Sequence, residues 1–537
     1  MGGSRRCDEE SWGPARRPDY ILAPGRAACQ GACLDRDIRP ADPYDTRMPR
    51  PRASTDLSKS RFIAGWQCHK LLWWKVHEPD AKELQPNRVL EDLFDQGRQV
   101  GEVARAAFPG GVLVTAAPWA REDRLAETAE AMAAGAPAIF EASFLADGVF
   151  VSLDVLERVD GGYRLIEVKS STSLKEEHVP DVAIQVHVAE AGGVPIRQAE
   201  VMHLDREYRH PGQGELLVRT DVTAPVRDLL PRIPVAIGGQ REALAGPLPE
   251  VPIGLHCFEP WECPFRKRCW PESRDHIFHL NGVGPKTVVK YLDDGIEWIA
   301  DLPASARLTF TQKRQLKAMA EDRLVVEPTL ARELESFAGR LGFLDFETII
   351  RAVPVWPGMA PWQQAAAQFS YHERQADGTY THAEHLAEGP EDARPPLAEA
   401  MVRATAEADR VVTYTAFEKT RIRELQKAVP HLARELEALE EKLVDLHPVV
   451  KNCVYHPDFK GSFSLKHILT PLVPELTYDD LVIVDGRLAS VEIARLLFVA
   501  DRIPRHERDR VRKDLLAYCE RDTWAMVRLL ERLREKL

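Results

Sequence analysis

Residues 140–170, FEASFLADGVFVSLDVLERVDGGYRLIEVKS, alternate apolar and polar side chains with a period of two and carry the turn residues Asp160-Gly161-Gly162. Such a run is satisfied by adjacent antiparallel strands, so this part of the chain is committed to a sheet. Within it, RLIEVKSST (164–172) sets Glu167 and Lys169 two positions apart. Strand side chains alternate between faces, so these two charges share one face while Ile166 and Val168 take the other. A buried charge is costly unless it is paired or holds a metal. The pair is therefore a structural ion pair or part of a site. Asp154, in VFVSLDVLE, lies on the strand that the turn folds back against Glu167.

The chain has 537 residues, too many for one core; about three domains follow at roughly 150 residues each, and two large domains with extras fit as well. It is 44% hydrophobic and 29% charged, with no apolar run near the ~20 residues of a membrane span. An integral membrane protein is excluded on this reading. Arginines at the start are not followed by an apolar stretch, so a secretory signal is not expected and the compartment is read as cytoplasmic. In a reducing compartment nine cysteines point to metal or cofactor binding rather than disulfides. A net charge of −12 argues against a general polyanion-binding surface but not against a local basic groove.

Four segments are expected. Residues 1–55, rich in Arg, Pro, Asp and Gly, read as a disordered tail in which Cys7 and the Cys29-x3-Cys33 pair have no structured partner. Met48, just before the first patterned segment, is an alternative start. Residues 56–275 read as a mixed α/β domain: two helices (SKSRFIAGWQCHKLLWWKV and NRVLEDLFDQGRQVGEVARAAF), the strands above, then a helix in VPDVAIQVHVAEAGG. Residues 276–338 read as a helical connector. Residues 339–537 read as a second α/β domain, with short buried strands in LGFLDFETI and ADRVVTYTAF and a long closing helix.

Two carboxylates and a lysine on neighbouring strands suit a hard divalent cation, Mg²⁺ or Mn²⁺, beside a cationic group that stabilises charge on a phosphate. An E-x-K alone is also the pattern of a solvated strand face. Glu102, in GRQVGEVARAAF, and Gln185, in AIQVHV, extend the constellation. Residues 57–275 resemble the RecB-like branch of the PD-(D/E)xK nuclease superfamily. The resemblance implies a restriction-endonuclease-like α/β fold, metal ligation by Glu102, Asp154 and Glu167, and catalytic roles for Lys169 and Gln185. Family members often carry Tyr four residues after the Gln, where this chain has Ala189.

Cys257, Cys263 and Cys269 follow one another with five residues between each pair, and Cys68 lies far upstream. The C-x2-C knuckles of structural zinc are absent from this set. Four thiolates can hold a [4Fe-4S] cluster; reduced core thiols are the plain alternative. One cysteine before the nuclease core and three after it is similar to the layout of iron-sulfur RecB-like nucleases, which implies a cluster stapling the two ends of the domain together. Cys453 and Cys519 read as core cysteines.

In the connector, LNGVGPKTVVKYLDDGI sets Gly282 and Gly284 ahead of Lys286 and resembles the hairpin of a helix-hairpin-helix motif, which would offer backbone N–H groups to a nucleic-acid phosphate. An ordinary glycine-turned linker reads equally well. Further on, GFLDFET puts Asp345 and Glu347 on one strand face, and LLAYCERDTW puts Tyr518 and Asp522 on one helix face. Three acids and a tyrosine suit two-metal hydrolysis. This arrangement resembles the DnaQ-like, DEDD-type exonucleases of the RNase H-like fold. In YTAFEKTRI, Glu418 stands where that family has Asp, and Asp445 is a spare candidate.

Together these readings imply a metal-dependent nuclease that hydrolyses DNA phosphodiesters, from ends or in single strands, with RNA as the alternative substrate. The competing class is a nucleic-acid-binding scaffold with one or both acid sites inactive.

Overall fold

The computed structural model of the protein describes residues 56–536. The tail, with Cys7, Cys29, Cys33 and Met48, lies outside the described residues. Among these residues no helix is long and apolar enough to cross a membrane.

The molecule is mixed α/β with several sheets. The first sheet has seven strands, running in order Val112–Leu113, Ala138–Ala146, Val149–Val159, Gly162–Lys169, Ile196–Leu204 and Leu217–Asp221, with Leu57–Ser58 paired to the start of Val149–Val159. The hairpin turn is Asp160-Gly161; Gly162 already belongs to the strand, opposite Val159. Gly161 takes φ 73°, a left-handed conformation that glycine adopts without a Cβ clash.

The two faces of this sheet are covered by different helices. Leu165 packs in a core with Val182, Ile184 and Val186 of the helix His178–Ala191. Ile166 and Val168 pack on the other face with Ala104 and Phe108, at the end of the helix Arg88–Arg105. The alternation thus sends Glu167 and Lys169 towards His178–Ala191.

The second sheet has five strands in the order Tyr380–Leu386, Gln364–Arg374, Leu341–Ile350, Arg410–Thr413, Leu443–Asp445. In chain order that is three, two, one, four, five. Gln364–Arg374 is antiparallel to both neighbours, and the last two strands join in parallel. Leu344 and Phe346 face Met401, Ile422 and Leu439. Phe343 packs with Leu529, and Ile349 packs with Leu515 and Tyr518, all from the closing helix Arg505–Arg534. Asp345 and Glu347, lying between Phe343 and Ile349 in the alternation, therefore face that helix.

The connector is divided between the two bodies. Ile277, Leu280, Val288 and Ile299 share a core with Cys257 and Trp270. Ala318, Val325, Leu334 and Phe337 share one with Phe343 and Met526, and Val325–Val326 pairs with Val454–Tyr455. The expected boundary at 338 runs through this second core.

The helix-hairpin-helix expectation needs correction. Gly282 and Gly284 are exposed and the helix Pro285–Asp293 follows them, but only a three-residue 3-10 turn, Ile277–His279, precedes them. His276 bridges to Trp298, and its ring caps the Phe278 N–H at 3.2 Å, which holds the chain extended where the first helix would run. Lys286 is exposed, 3.6 Å from Glu259.

Candidate active sites

Past the Val155–Ile166 pair the ladder opens, and Asp154 Oδ2 accepts the Val168 N–H at 2.7 Å. Asp154 and Glu167 are thereby brought together on one face, as the hairpin predicts. Glu167 is 2% exposed; its Oε1 accepts from Lys169 Nζ at 2.7 Å and from Lys59 Nζ at 2.8 Å, and its Oε2 accepts from Gln185 Nε2 at 2.8 Å. Burial opposes ionisation of Glu167, yet Lys169 and Lys59 hold its carboxyl well below the usual range. Burial, with the Glu167 charge, pushes Asp154 up to about 7.

Glu102 does not join this cluster. Its helix covers the opposite face of the sheet, and its side chain is exposed. Two residues unread in the sequence take part instead. Asp181, one helical turn before Gln185, pairs with Lys169 and lies 3.7 Å from Lys59. Lys59 opens the helix that starts where Leu57–Ser58 leaves the sheet, capped by Ser58. Asp154, Glu167 and Asp181 do not form a triple with ligand oxygens close enough to share one ion, and the Lys59 ammonium sits on the Glu167 oxygen such an ion would need. Ala189 is buried in the core.

The second cluster fits a metal better. Ligand oxygens of Asp345, Glu347 and Asp522 all lie within 4.8 Å of one another. Burial, then the neighbouring carboxylates, pushes Asp345 and Glu347 well above the usual range. Close buried carboxyls of this kind demand protons or cations. Glu418 reaches the cluster from the helix Phe417–Ala428 and shares a hydrogen bond with Asp345, while its Oε2 is buried with no partner. Asp445 does not join; it caps the helix Leu446–Cys453 and accepts the Thr415 N–H at 2.9 Å.

Tyr518 borders the acids. Its hydroxyl accepts from Lys466 Nζ at 2.8 Å, and burial with the charges of Asp522, Glu347 and Asp345 keeps it protonated. The hydroxyl is thus a donor facing the carboxylates. The Tyr478 hydroxyl donates to Asp522 Oδ1. Lys466 and Tyr478 carried no sequence signal, because Lys466, on the helix Leu465–Leu472, and Tyr478, in the loop after it, meet the closing helix only through long-range packing. Cys519 is buried as expected, 3.8 Å from Asp345 Oδ2.

The four expected cysteines converge. Cys68, Cys257, Cys263 and Cys269 are free thiols lining one cavity with Leu71, Trp74 and His256. Cys68 sits at an extended break, φ −163°, between the helices Lys59–Gln67 and His69–His77. Burial, with the charges of Cys68, Cys257 and Cys269, pushes Cys263 up to about 11, whereas at Cys68 and Cys257 burial is outweighed by hydrogen bonding, His256 foremost, and both thiols are lowered. The donor set fits a thiolate-ligated cluster. Gln67 also ties the two segments directly, donating to the carbonyl oxygens of His256 at 2.8 Å and Trp261 at 2.7 Å.

No curated protein matches the sequence. A family model described as a domain of unknown function (DUF2779) matches residues 342–464, the central part of the second sheet's body. Among solved structures, the chain is similar to the protein SSO0001, at 10% identity and a TM-score of 0.22 over 41% of this chain and 88% of the other. It is also similar to an alkaline exonuclease (LHK-Exo) from Laribacter hongkongensis, at 13% identity and a TM-score of 0.21 over 36% of this chain and 93% of the other.

Proposed function

We propose that the protein is a metal-dependent nuclease: a RecB-like PD-(D/E)xK domain carrying a [4Fe-4S] cluster on Cys68, Cys257, Cys263 and Cys269, joined to a DnaQ-like domain of RNase H-like fold. The observation that carries this reading is the triple of half-buried Asp345 with buried Glu347 and Asp522, beside the protonated Tyr518. The strand order three, two, one, four, five, with strand two antiparallel, supports the RNase H-like assignment.

Asp345, Glu347 and Asp522 would hold a pair of Mg²⁺ or Mn²⁺ ions, whose chemistry would be charge neutralisation at a phosphodiester and activation of water. The chain's own groups then divide the work. Asp345, Glu347 and Asp522 bind the ions, Glu418 adds a carboxyl beside Asp345, and the Tyr518 hydroxyl orients the attacking water. Lys466 fixes that hydroxyl through its 2.8 Å hydrogen bond. In the first domain, Asp154 and Glu167 would provide ligands once the Lys59 ammonium leaves Glu167 Oε1, with Lys169 stabilising charge on the phosphate and Gln185 holding the Glu167 carboxylate in place.

The test is hydrolysis of labelled single- and double-stranded DNA and RNA by anaerobically purified protein, with and without Mg²⁺ or Mn²⁺. Cleavage that needs the ion and falls on Asp345→Ala with Glu347→Ala supports the reading; ion-independent cleavage, or none on any substrate, defeats it. A second reading, in which the first site binds nucleic acid without cutting it, is favoured by the Lys59 ammonium on Glu167.

A further inference from the structure

We propose that His372, His382 and Glu520 form a binding site for a transition-metal ion of the Zn²⁺ class, clamping the second sheet to the closing helix. His372 and His382 are directly paired across the strands Gln364–Arg374 and Tyr380–Leu386. Their rings stack, with centroids 4.5 Å apart and planes 29° apart. The helix Arg505–Arg534 brings Glu520 over this pair, so that one nitrogen of each ring and a Glu520 oxygen all lie within 4.8 Å of one another. Metal bonds of 2.0–2.2 Å set tetrahedral ligands roughly 3.3 Å apart. Since His382 and Glu520 are exposed, the remaining closure needs only side-chain movement.

Hydrogen bonding behind the rings leaves a lone pair on each. Thr523 Oγ1 donates to the Glu520 carbonyl oxygen at 3.0 Å, so it is an acceptor for its other partners. It accepts from His372 Nδ1 at 2.8 Å and from Ser370 Oγ at 2.8 Å. With its proton committed, Ser370 Oγ accepts from His382 Nε2 at 2.9 Å. Each imidazole is thus oriented through one ring N–H, which leaves its other nitrogen as the ligand atom for a cation. Ligating histidines held through the second ring nitrogen are the usual arrangement.

The donor types decide the ion. Two imidazoles and one carboxylate suit Zn²⁺ and leave a position for water, whereas the all-oxygen triple of Asp345, Glu347 and Asp522 suits Mg²⁺ or Mn²⁺. Ser370 is the cross-strand partner of Asp345, and Thr523 follows Asp522 in the chain. An ion on the histidines therefore locks the strand and the helix that carry the acids in fixed register, whether or not the acids cleave phosphodiesters.

The full chain, stripped of metal and returned to excess Mg²⁺, is titrated with Zn²⁺ by equilibrium dialysis and followed by thermal melting. His382→Ala and Glu520→Gln, both surface changes, should each remove one Zn²⁺ equivalent or weaken it about tenfold or more, and abolish the accompanying rise in melting temperature. His382→Cys, which supplies a thiolate, should restore binding. Asp345→Ala with Glu347→Ala should retain it. Zn²⁺ uptake and melting that are the same in the parent and in both His382→Ala and Glu520→Gln would overturn the site.

Discussion

The indole Nε1 of Trp362 donates to the carbonyl oxygen of Ser170 at 2.5 Å, one residue beyond Lys169. The strand that carries Glu167 and Lys169 therefore ends against the segment that follows the strand of Asp345 and Glu347. Nearby, Arg351 Nη1 meets Asp92 Oδ1 at 2.8 Å, and Gln96 Oε1 accepts the Ala352 N–H at 2.6 Å. The helix Arg88–Arg105, expected to supply a metal ligand through Glu102, supplies a joint between the two bodies instead.

Gln96 gives the sharpest test of that joint, because it is 2% exposed and also donates to Asp92 Oδ2 at 2.6 Å. Gln96→Ala leaves the buried Ala352 N–H without an acceptor and should cost about 2 kcal/mol in urea denaturation. Glu102→Ala, an exposed change on the same helix, should stay within about 0.5 kcal/mol. Equal effects from the two would show that the joint carries no stability.

Lys59 competes with any cation for Glu167. Lys59→Met removes one positive charge from a buried cluster, so Mn²⁺ should bind the first site more tightly, read by electron paramagnetic resonance in the Asp345→Ala, Glu347→Ala background. Without metal the same variant should be less stable by about 1–2 kcal/mol, since Glu167 and Asp181 then share only Lys169. Unchanged or weaker Mn²⁺ binding would mean that Lys59 does not occupy the ion's place.

Much of this was legible from alternation alone. Period two placed Glu167 with Lys169 and Asp345 with Glu347, and the hairpin turn placed Asp154 with Glu167. Alternation says which residues share a face but not which helix covers it, so Glu102 was assigned to a face its helix never touches. Lys59 and Lys466 stayed hidden because each meets its acid or hydroxyl partner across long sequence separation. Asp181 was within reach, as the residue four before Gln185. The helix expected before Gly282 failed because the buried ring of His276 holds that segment extended, a tertiary contact that overrides local pattern.

The cysteine cavity predicts a coloured protein. Anaerobic purification should give broad visible absorption from an iron-sulfur cluster, and Cys263→Ala should remove it and lower the melting temperature of the first domain. The loss should be partial, because Gln67 continues to tie the two cysteine-bearing segments through its two hydrogen bonds. Stoichiometric zinc without iron would replace the cluster with a structural zinc site.

The two acid sites should be separable in activity although their bodies are joined. Lys169 bonds Glu167 and Asp181 in the first site, and nothing in its contacts reaches Asp345 or Glu347. Lys169→Ala should thus abolish cleavage by the first domain, a loss on the order of 10²-fold or more, while sparing 3′-end trimming by the second. Asp345→Ala with Glu347→Ala should do the reverse. If Lys169→Ala eliminates all hydrolysis, the second domain binds without cutting, in keeping with Glu418 standing where an Asp is expected. If Lys169→Ala changes nothing on any substrate, the strand Gly162–Lys169 carries a structural ion pair. The two lysines on Glu167 are then its reason for being buried, because together they offset the cost of desolvating its charge.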